Sequence, residues 1–277
     1  MMKQGKVIFG VLAAMLSLSS CGSQRQVAIV AHRGYWQCEQ GGNSHNSIAS
    51  LSAAQNLGFW GSEFDVNMTK DEQLMVFHDD AVAGMPFKDH LASDYADVRL
   101  NNGETIPTLD EYLSQFEKDK NCRLVFELKW HATPELQRRA AELCVQKLKD
   151  HGLFDPKRVI FISFCFYECE CFVEMAPGFT VQYLGSDEAH NPQVCFEHGI
   201  NGIDTNYGKF YNDSTWYSRA RANSMNVNVW TVDNVDDMRK MVEMGADYIT
   251  TNKPEECRAL LKEMGIKELK AGKNFKN

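Results

Sequence analysis

Val27-Ala28-Ile29-Val30-Ala31-His32-Arg33-Gly34 is a short apolar run, rich in β-branched residues, that ends abruptly in a basic pair and a glycine. Ser47 to Asn56 follows with apolar residues at helical spacing, and Trp60-Gly61-Ser62-Glu63-Phe64-Asp65-Val66 returns to a strand-like run. A strand, a helix and a second strand in this order predict parallel pairing, because parallel neighbours need a crossover and a helix usually supplies it.

The alternation continues outward from this unit. Strand-like runs at Cys122 to Leu128, Arg158 to Ser163, Thr180 to Leu184, Gly202 to Thr205, Val227 to Trp230 and Asp247 to Thr250 complete a set of eight. Helical segments are predicted at Leu109 to Phe116, Pro134 to Lys149, Phe166 to Met175, Pro192 to His198, Ser214 to Ala222 and Val235 to Met244. Thr108 and Glu111 form a capping box after Pro107, and Gly152 and Gly245 read as left-handed helix stops. The fold class is therefore α/β, with a single-domain (β/α)8 TIM barrel leading and an open doubly wound sheet as the alternative. Met68 to Pro107 is long for a connection, and Leu74 to Phe77 inside it predicts a small extra strand in an excursion after strand two, over one barrel mouth.

The chain has 277 residues, 44% hydrophobic, which suits one domain with a substantial core. Its net charge of −8 argues against general affinity for nucleic acid. Lys3 and Lys6 precede an apolar run from Val7 to Leu18, and Leu18-Ser19-Ser20-Cys21 resembles a bacterial lipobox. Residues 1–20 read as a lipoprotein signal peptide, 21–26 as a tether lipidated at Cys21, 27–265 as the barrel domain and 266–277 as a loose, polar, basic tail. The expected location is a bacterial cell envelope, on the periplasmic side, with membrane contact through the anchor only. The alternative is an ordinary secretory signal with an incidental Cys21. Of the other cysteines, Cys122, Cys144 and Cys165 lie in apolar or helical contexts and read as packing. Cys165, Cys169 and Cys171 match no common zinc spacing.

In a barrel the chemistry gathers at the C-terminal ends of the strands. His32-Arg33-Gly34 ends the first strand, Glu63 and Asp65 lie on the second, His78-Asp79 lies in the excursion, and Glu127-Leu128-Lys129 ends the third. Glu63 and Asp65 are two apart and point to one side of their strand, as do Glu127 and Lys129. Three inward carboxylates need compensation, and one hard divalent cation, Mg²⁺ or Ca²⁺, supplies it. A metal-free network with Arg33 and Lys129 is the competing reading. His32 and His78 beside that cluster are candidate general acid and base. Histidines 45, 90, 131, 151, 190 and 198 lack that context and read as solvated or packing.

Ala31-His32-Arg33-Gly34, Asn46-Ser47, Glu63-Phe64-Asp65-Val66, Val76-Phe77-His78-Asp79, Ile106-Pro107-Thr108-Leu109, Glu127-Leu128-Lys129, Val229-Trp230-Thr231-Val232 and Ile249-Thr250-Thr251-Asn252-Lys253-Pro254 resemble the ordered signature of the glycerophosphodiester phosphodiesterase family. The resemblance spans nearly all of the chain after Cys21. It implies a (β/α)8 barrel, a divalent metal on Glu63, Asp65 and Glu127, a histidine pair at His32 and His78, phosphate binding by Arg33 and Lys129, and Trp230 against the glycerol or leaving-group side. The implied reaction is hydrolysis of a small glycerophosphodiester to glycerol 3-phosphate and an alcohol, by direct attack of water or through a cyclic phosphate. Alternatives are a lyase releasing a cyclic phosphate from an intact lipid, and a non-catalytic phosphodiester-binding lipoprotein. His45 stands where the family usually has the glutamate of Glu-Asn-Thr, which bears on metal affinity, metal preference and the orientation of His32. Substrate choice is expected from Gly84 to Glu104 and Tyr207 to Tyr217 around the mouth.

Overall fold

The computed structural model describes residues 25–213 and 215–275. The proposed leader, Cys21 and all but the last two residues of the tether lie outside the described residues, as does Ser214.

Among the described residues, twelve strands occur in chain order: β1 (Gln26–Ala31), β2 (Gly61–Met68), β3 (Leu74–Val76), β4 (Ala81–Val82), β5 (Met85–Pro86), β6 (Arg123–Leu128), β7 (Val159–Ser163), β8 (Thr180–Tyr183), β9 (Gly202–Asn206), β10 (Asn226–Trp230), β11 (Tyr248–Thr251) and β12 (Lys267–Leu269). The parallel order β1-β11-β10-β9-β8-β7-β6-β2 closes on itself because Val30 and Ala31 of β1 also pair with Gly61 and Ser62 of β2. This is the (β/α)8 barrel, and all eight predicted strands take part in it.

Strand periodicity sorts side chains into two layers. Val27 and Ile29 of β1, Phe64 and Val66 of β2, and Leu124 and Phe126 of β6 point outward into the main core beneath the helices. Their neighbours Ala28, Val30 and Val125 point inward, with Ile160, Ile162 and Leu184, and fill the barrel itself. The same alternation sends Glu63, Asp65 and Glu127 inward, and each is buried. Site and core are thus two faces of the same strands.

The helices follow local chemistry. Thr108 caps Leu109–Phe116 reciprocally with Glu111 as predicted, and Gly245 takes the left-handed conformation, φ 110°, that ends Val235–Met244. A helix at Pro254–Glu263, absent from the predicted set, completes the outer ring; proline in its first turn and acidic Glu255 and Glu256 suit a helix start. The excursion after β2 carries β3, which pairs antiparallel with β2, and a β4–β5 hairpin over a small core of Met75, Phe87, Tyr95 and Ile106.

The end of the chain departs from the loose tail expected for 266–277. Lys267–Leu269 pairs in parallel with Gln26–Ala28, filling the half of the β1 edge that β2 leaves free, and Leu269 is only 1% exposed. Beyond it, Trp60 Nε1 donates to the Lys273 carbonyl at 2.9 Å, Arg123 donates to the same carbonyl, and Phe275 packs edge-on against Tyr248. A basic, polar composition concealed two apolar anchors, Leu269 and Phe275, that plug the barrel floor.

Candidate active site

The turn after β1 is held in an unusual conformation. Arg33 has φ 57° and Gly34 φ 76°, and the Arg33 amide donates to Glu63 Oε2 at 2.8 Å. A side chain on Gly34 would meet Ser50 Oγ at 2.3 Å, so glycine is required where the turn rests on the following helix. The bond between Arg33 and Glu63 ties the end of β1 to the second strand and aims the arginine into the barrel mouth.

Glu63, Asp65 and Glu127 each offer an oxygen within 4.8 Å of the others. Asn46, itself at φ 55°, grips Asp65 with both amide atoms: Nδ2 donates to Oδ2 at 2.8 Å, and Oδ1 accepts the Asp65 amide at 3.3 Å. Lys129 Nζ donates to Glu127 Oε1 at 2.7 Å and to Asp65 Oδ1 at 3.3 Å. Glu63 Oε1 is buried with no partner.

The electrostatics follow from that crowding. Burial, then the charges of Asp65 and Glu127, hold Glu63 well above the usual carboxylate range. Burial and Asp65 likewise push Glu127 up to about 8. Burial would raise Asp65 too, but Lys129, His78 and Arg33 outweigh it and hold its carboxyl low. Two cationic side chains therefore do not balance three carboxylates, and the orphaned Glu63 oxygen faces the same gap. The donor set fits a hard divalent cation, which Glu63, Asp65 and Glu127 would hold.

His32 follows directly from β1. Its Nδ1 lies 2.8 Å from Asn252 Oδ1, which also accepts from Trp36 Nε1 at 2.9 Å. Asn252 Nδ2 donates to Asp233 at 2.7 Å, so indole and carboxylate together settle which amide atom is oxygen. His32 must then carry its proton on Nδ1, leaving Nε2 as an acceptor 4.0 Å from Glu63 Oε2. Burial, then Arg33, lower its pKa to about 4. His78 Nδ1 contacts Asp79 at 2.6 Å, and Asn67 Nδ2 anchors the loop by donating to the Phe77 and Asp79 carbonyls.

His32, Arg33, Glu63, His78, Glu127 and Trp230 line one chamber of about 110 Å³, with Ile162, Phe164, Leu184, Asp204, Thr231 and Thr250 completing its wall. With Asp65 and Lys129 joined to it through the contacts above, every site residue predicted within the barrel converges here. Neither Gly84 to Glu104 nor Tyr207 to Tyr217 contributes a lining residue to this chamber. Instead Glu104 reaches back to cap the helix Ile48–Asn56, accepting from the Ile48 and Ala49 amides at 2.8 and 3.1 Å.

Asn252, Asp233, Trp36 and Asp204 escaped the sequence reading as individual residues. The first belongs to the quoted motif Thr251-Asn252-Lys253-Pro254, where a polar cluster after the last strand was the available signal. Of the other histidines, His131 and His151 pair with Glu168 and with Asp110 and Glu117, away from the chamber. His45 is exposed and packs edge-on against Trp36, with ring centroids 4.0 Å apart. It therefore stands beside the residue that shares Asn252 with His32. All eight cysteines in the described residues are free thiols.

The sequence model described as the Glycerophosphoryl diester phosphodiesterase family matches residues 32–256. A curated glycerophosphodiester phosphodiesterase of Caldanaerobacter subterraneus subsp. tengcongensis is 26% identical over 250 residues, covering 86% of this chain and 98% of that protein. The crystal structure of a glycerophosphodiester phosphodiesterase from Parabacteroides distasonis superposes with a TM-score of 0.83 at 40% identity, covering 87% of this chain and 99% of that one. An Oleispira antarctica phosphodiesterase, solved with the product sn-glycerol-3-phosphate, shares the fold with a TM-score of 0.72 at 22% identity over 86% of this chain and 97% of its own. With the barrel closed, the acidic cluster assembled and the match running across the whole mouth, this chain belongs to the glycerophosphoryl diester phosphodiesterase family.

Proposed function

We propose that the chain hydrolyses small glycerophosphodiesters to glycerol 3-phosphate and an alcohol, in a reaction that depends on one divalent cation. The observation that carries this reading is the cluster of Glu63, Asp65 and Glu127, with one orphaned carboxylate oxygen, in a chamber shared with two imidazoles and Arg33. The named activity of the Parabacteroides and Caldanaerobacter relatives and the product bound in the Oleispira enzyme support the substrate class.

When bound, Mg²⁺ or Ca²⁺ would act as a Lewis acid toward the phosphoryl group. The side chains supply the rest. Arg33 Nε, buried 3.7 Å from Asp65 Oδ2 with no hydrogen-bond partner, and Lys129 offer cationic donors to the equatorial phosphate oxygens as charge grows on them. His32 enters neutral with its lone pair on Nε2, the form that takes a proton from the attacking oxygen. His78, its other nitrogen held by Asp79, gives a proton to the departing alcohol. Trp230 donates its indole N–H to the Asp204 carbonyl at 3.0 Å, which fixes the ring as a wall against the organic arm.

Residues 1–20 as a signal peptide, lipidation at Cys21 and a periplasmic envelope location complete the proposal. Five peptide steps from Cys21 to Gln26 reach at most about 18 Å. The strand β1 enters at the barrel floor, and the mouth lies roughly 20 Å further along it. A molecule tethered this way turns its mouth away from the bilayer, which favours soluble diesters over intact lipid. The test is glycerol 3-phosphate release from glycerophosphocholine, glycerophosphoethanolamine and glycerophosphoglycerol by metal-stripped protein, before and after Mg²⁺ or Ca²⁺ is restored. Release that needs the cation supports the reading; no release from any of the three, with cation bound, refutes it.

A further inference from the structure

Barrel interiors are usually filled by layers of apolar side chains. Half of this interior is not. Besides the carboxylate cluster, Gln182 on β8, Asp204 on β9, Asn228 on β10 and Thr250 on β11 are polar and buried, and strand alternation directs all four inward. Part of this wall satisfies itself. Thr250 Oγ1 donates to Asn228 Oδ1 at 3.0 Å, and Asn228 Nδ2 donates to Asp204 Oδ2 at 3.0 Å. The second carboxyl oxygen of Asp204, Oδ1, has no partner although the residue is 1% exposed.

Asp204 also lines the reaction chamber, with Trp230 bonded to its carbonyl. Asn228 fixes one carboxyl oxygen, so the free one is presented in a set direction and not left to rotate. Of the rest of that wall, Ile162, Leu184 and Phe164 are apolar and offer a hydroxyl nothing, Thr250 has already given its hydroxyl proton to Asn228, and Thr231 is the one other polar side chain. At about 110 Å³ the chamber has room for roughly four waters, enough for a three-carbon arm and too little for an acyl chain.

Resting on the diester reading above, we propose that Asp204 is a specificity-determining residue that hydrogen-bonds a hydroxyl of the buried arm through Oδ1, selecting polyol phosphates over alkyl phosphates. A site built around a buried polar atom discriminates strongly, because an arm without the hydroxyl leaves that atom desolvated and unpaired. An apolar chamber of the same size would separate the two only weakly.

The test is calorimetric binding, with Mg²⁺ present, of glycerol 3-phosphate and of propyl phosphate, which has the same carbon count and no hydroxyls. Wild type should bind glycerol 3-phosphate at least tenfold more tightly. Asp204→Ala, which removes the carboxyl without adding bulk, should bring that ratio to within about twofold and leave propyl phosphate affinity unchanged. Asp204→Asn should keep most of the preference, since an amide still pairs with a hydroxyl. A wild-type ratio near one overturns the proposal, and that reading needs no variant to fold. So does a preference that survives in Asp204→Ala, which would place hydroxyl recognition elsewhere, and so does equal loss of both ligands. Binding is read without turnover: protein that shows the ratio yet cleaves no diester would refute the hydrolase reading and leave this one standing.

Discussion

Asn252 Oδ1 sits 2.8 Å from His32 Nδ1, and that one contact decides which nitrogen of the catalytic candidate faces the chamber. Asp233 holds Asn252 from behind through the side-chain amide at 2.7 Å and the backbone amide at 2.8 Å. His32 is thus oriented by the loop after the last barrel strand, across the closure of the barrel.

Asn252→Leu should therefore lower kcat on the order of 100-fold with a small change in KM, because a misaimed imidazole loses its geometry and not the substrate. Asn252→Asp, which keeps an acceptor for Nδ1 but turns a carboxylate oxygen toward Asp233 in place of the amide donor, should recover only part of the loss. Steady-state kinetics on glycerophosphocholine check both variants. Equal activity in Asn252→Leu and wild type would remove the orienting role.

Lys129 is the nearest built-in cation to the carboxylates, and Glu127 and Asp65 raise its pKa despite its burial. Lys129→Met should cut kcat roughly 100- to 1,000-fold through the lost stabilisation of phosphate charge. The same variant should gain more melting temperature from added Mg²⁺ than wild type, since its cluster begins with less compensation. Thermal scans with and without the cation measure that difference; an identical gain would contradict the charge argument.

Leu269 packs in the barrel floor from β12, although its immediate neighbours Glu268 and Lys270 are charged. Leu269→Ala should cost about 2–5 kcal/mol in urea unfolding, the usual range for an apolar truncation in a packed core. A change below about 0.5 kcal/mol, the size of an ordinary surface effect, would mean that β12 is not part of the barrel in solution.

His151 links the helices Leu109–Phe116 and Pro134–Asp150 by contacting Glu117 and Asp110. Burial lowers its pKa, but the two carboxylates outweigh that and leave it raised above 6.5. A raised folded-state pKa means the protonated ring stabilises the fold. Its contribution is complete below the unfolded value of about 6.5 and is lost as pH rises through the folded one. Urea midpoints between pH 6 and pH 9 should fall in wild type, and His151→Gln should remove that part of the slope. An unchanged slope in the variant would assign the dependence to another group.

Most of the barrel was legible because inward and outward residues alternate with period two, and apolar runs of that kind announce themselves. Glu63, Asp65 and Glu127 stood out for the related reason that charge in such a run contradicts its surroundings. Asp204 did not. It is a single acid in Gly202-Ile203-Asp204-Thr205, and its meaning depends on Asn228, a partner 24 positions away that only strand register brings beside it. Asn252 was visible as part of a motif but not as a support for His32, since the two meet only when the barrel closes, 220 residues apart. The packed tail was missed because two anchoring residues among lysines and asparagines carry no periodic signal.

The most direct test of the central claim is ³¹P nuclear magnetic resonance of glycerophosphocholine incubated with metal-stripped protein, with Mg²⁺ added midway, beside His32→Ala and Glu63→Ala. The account predicts a static diester signal before the addition, steady conversion to glycerol 3-phosphate after it, and no conversion by either variant. Conversion at full rate without any divalent cation, or a diester that persists with the cation bound, would contradict it.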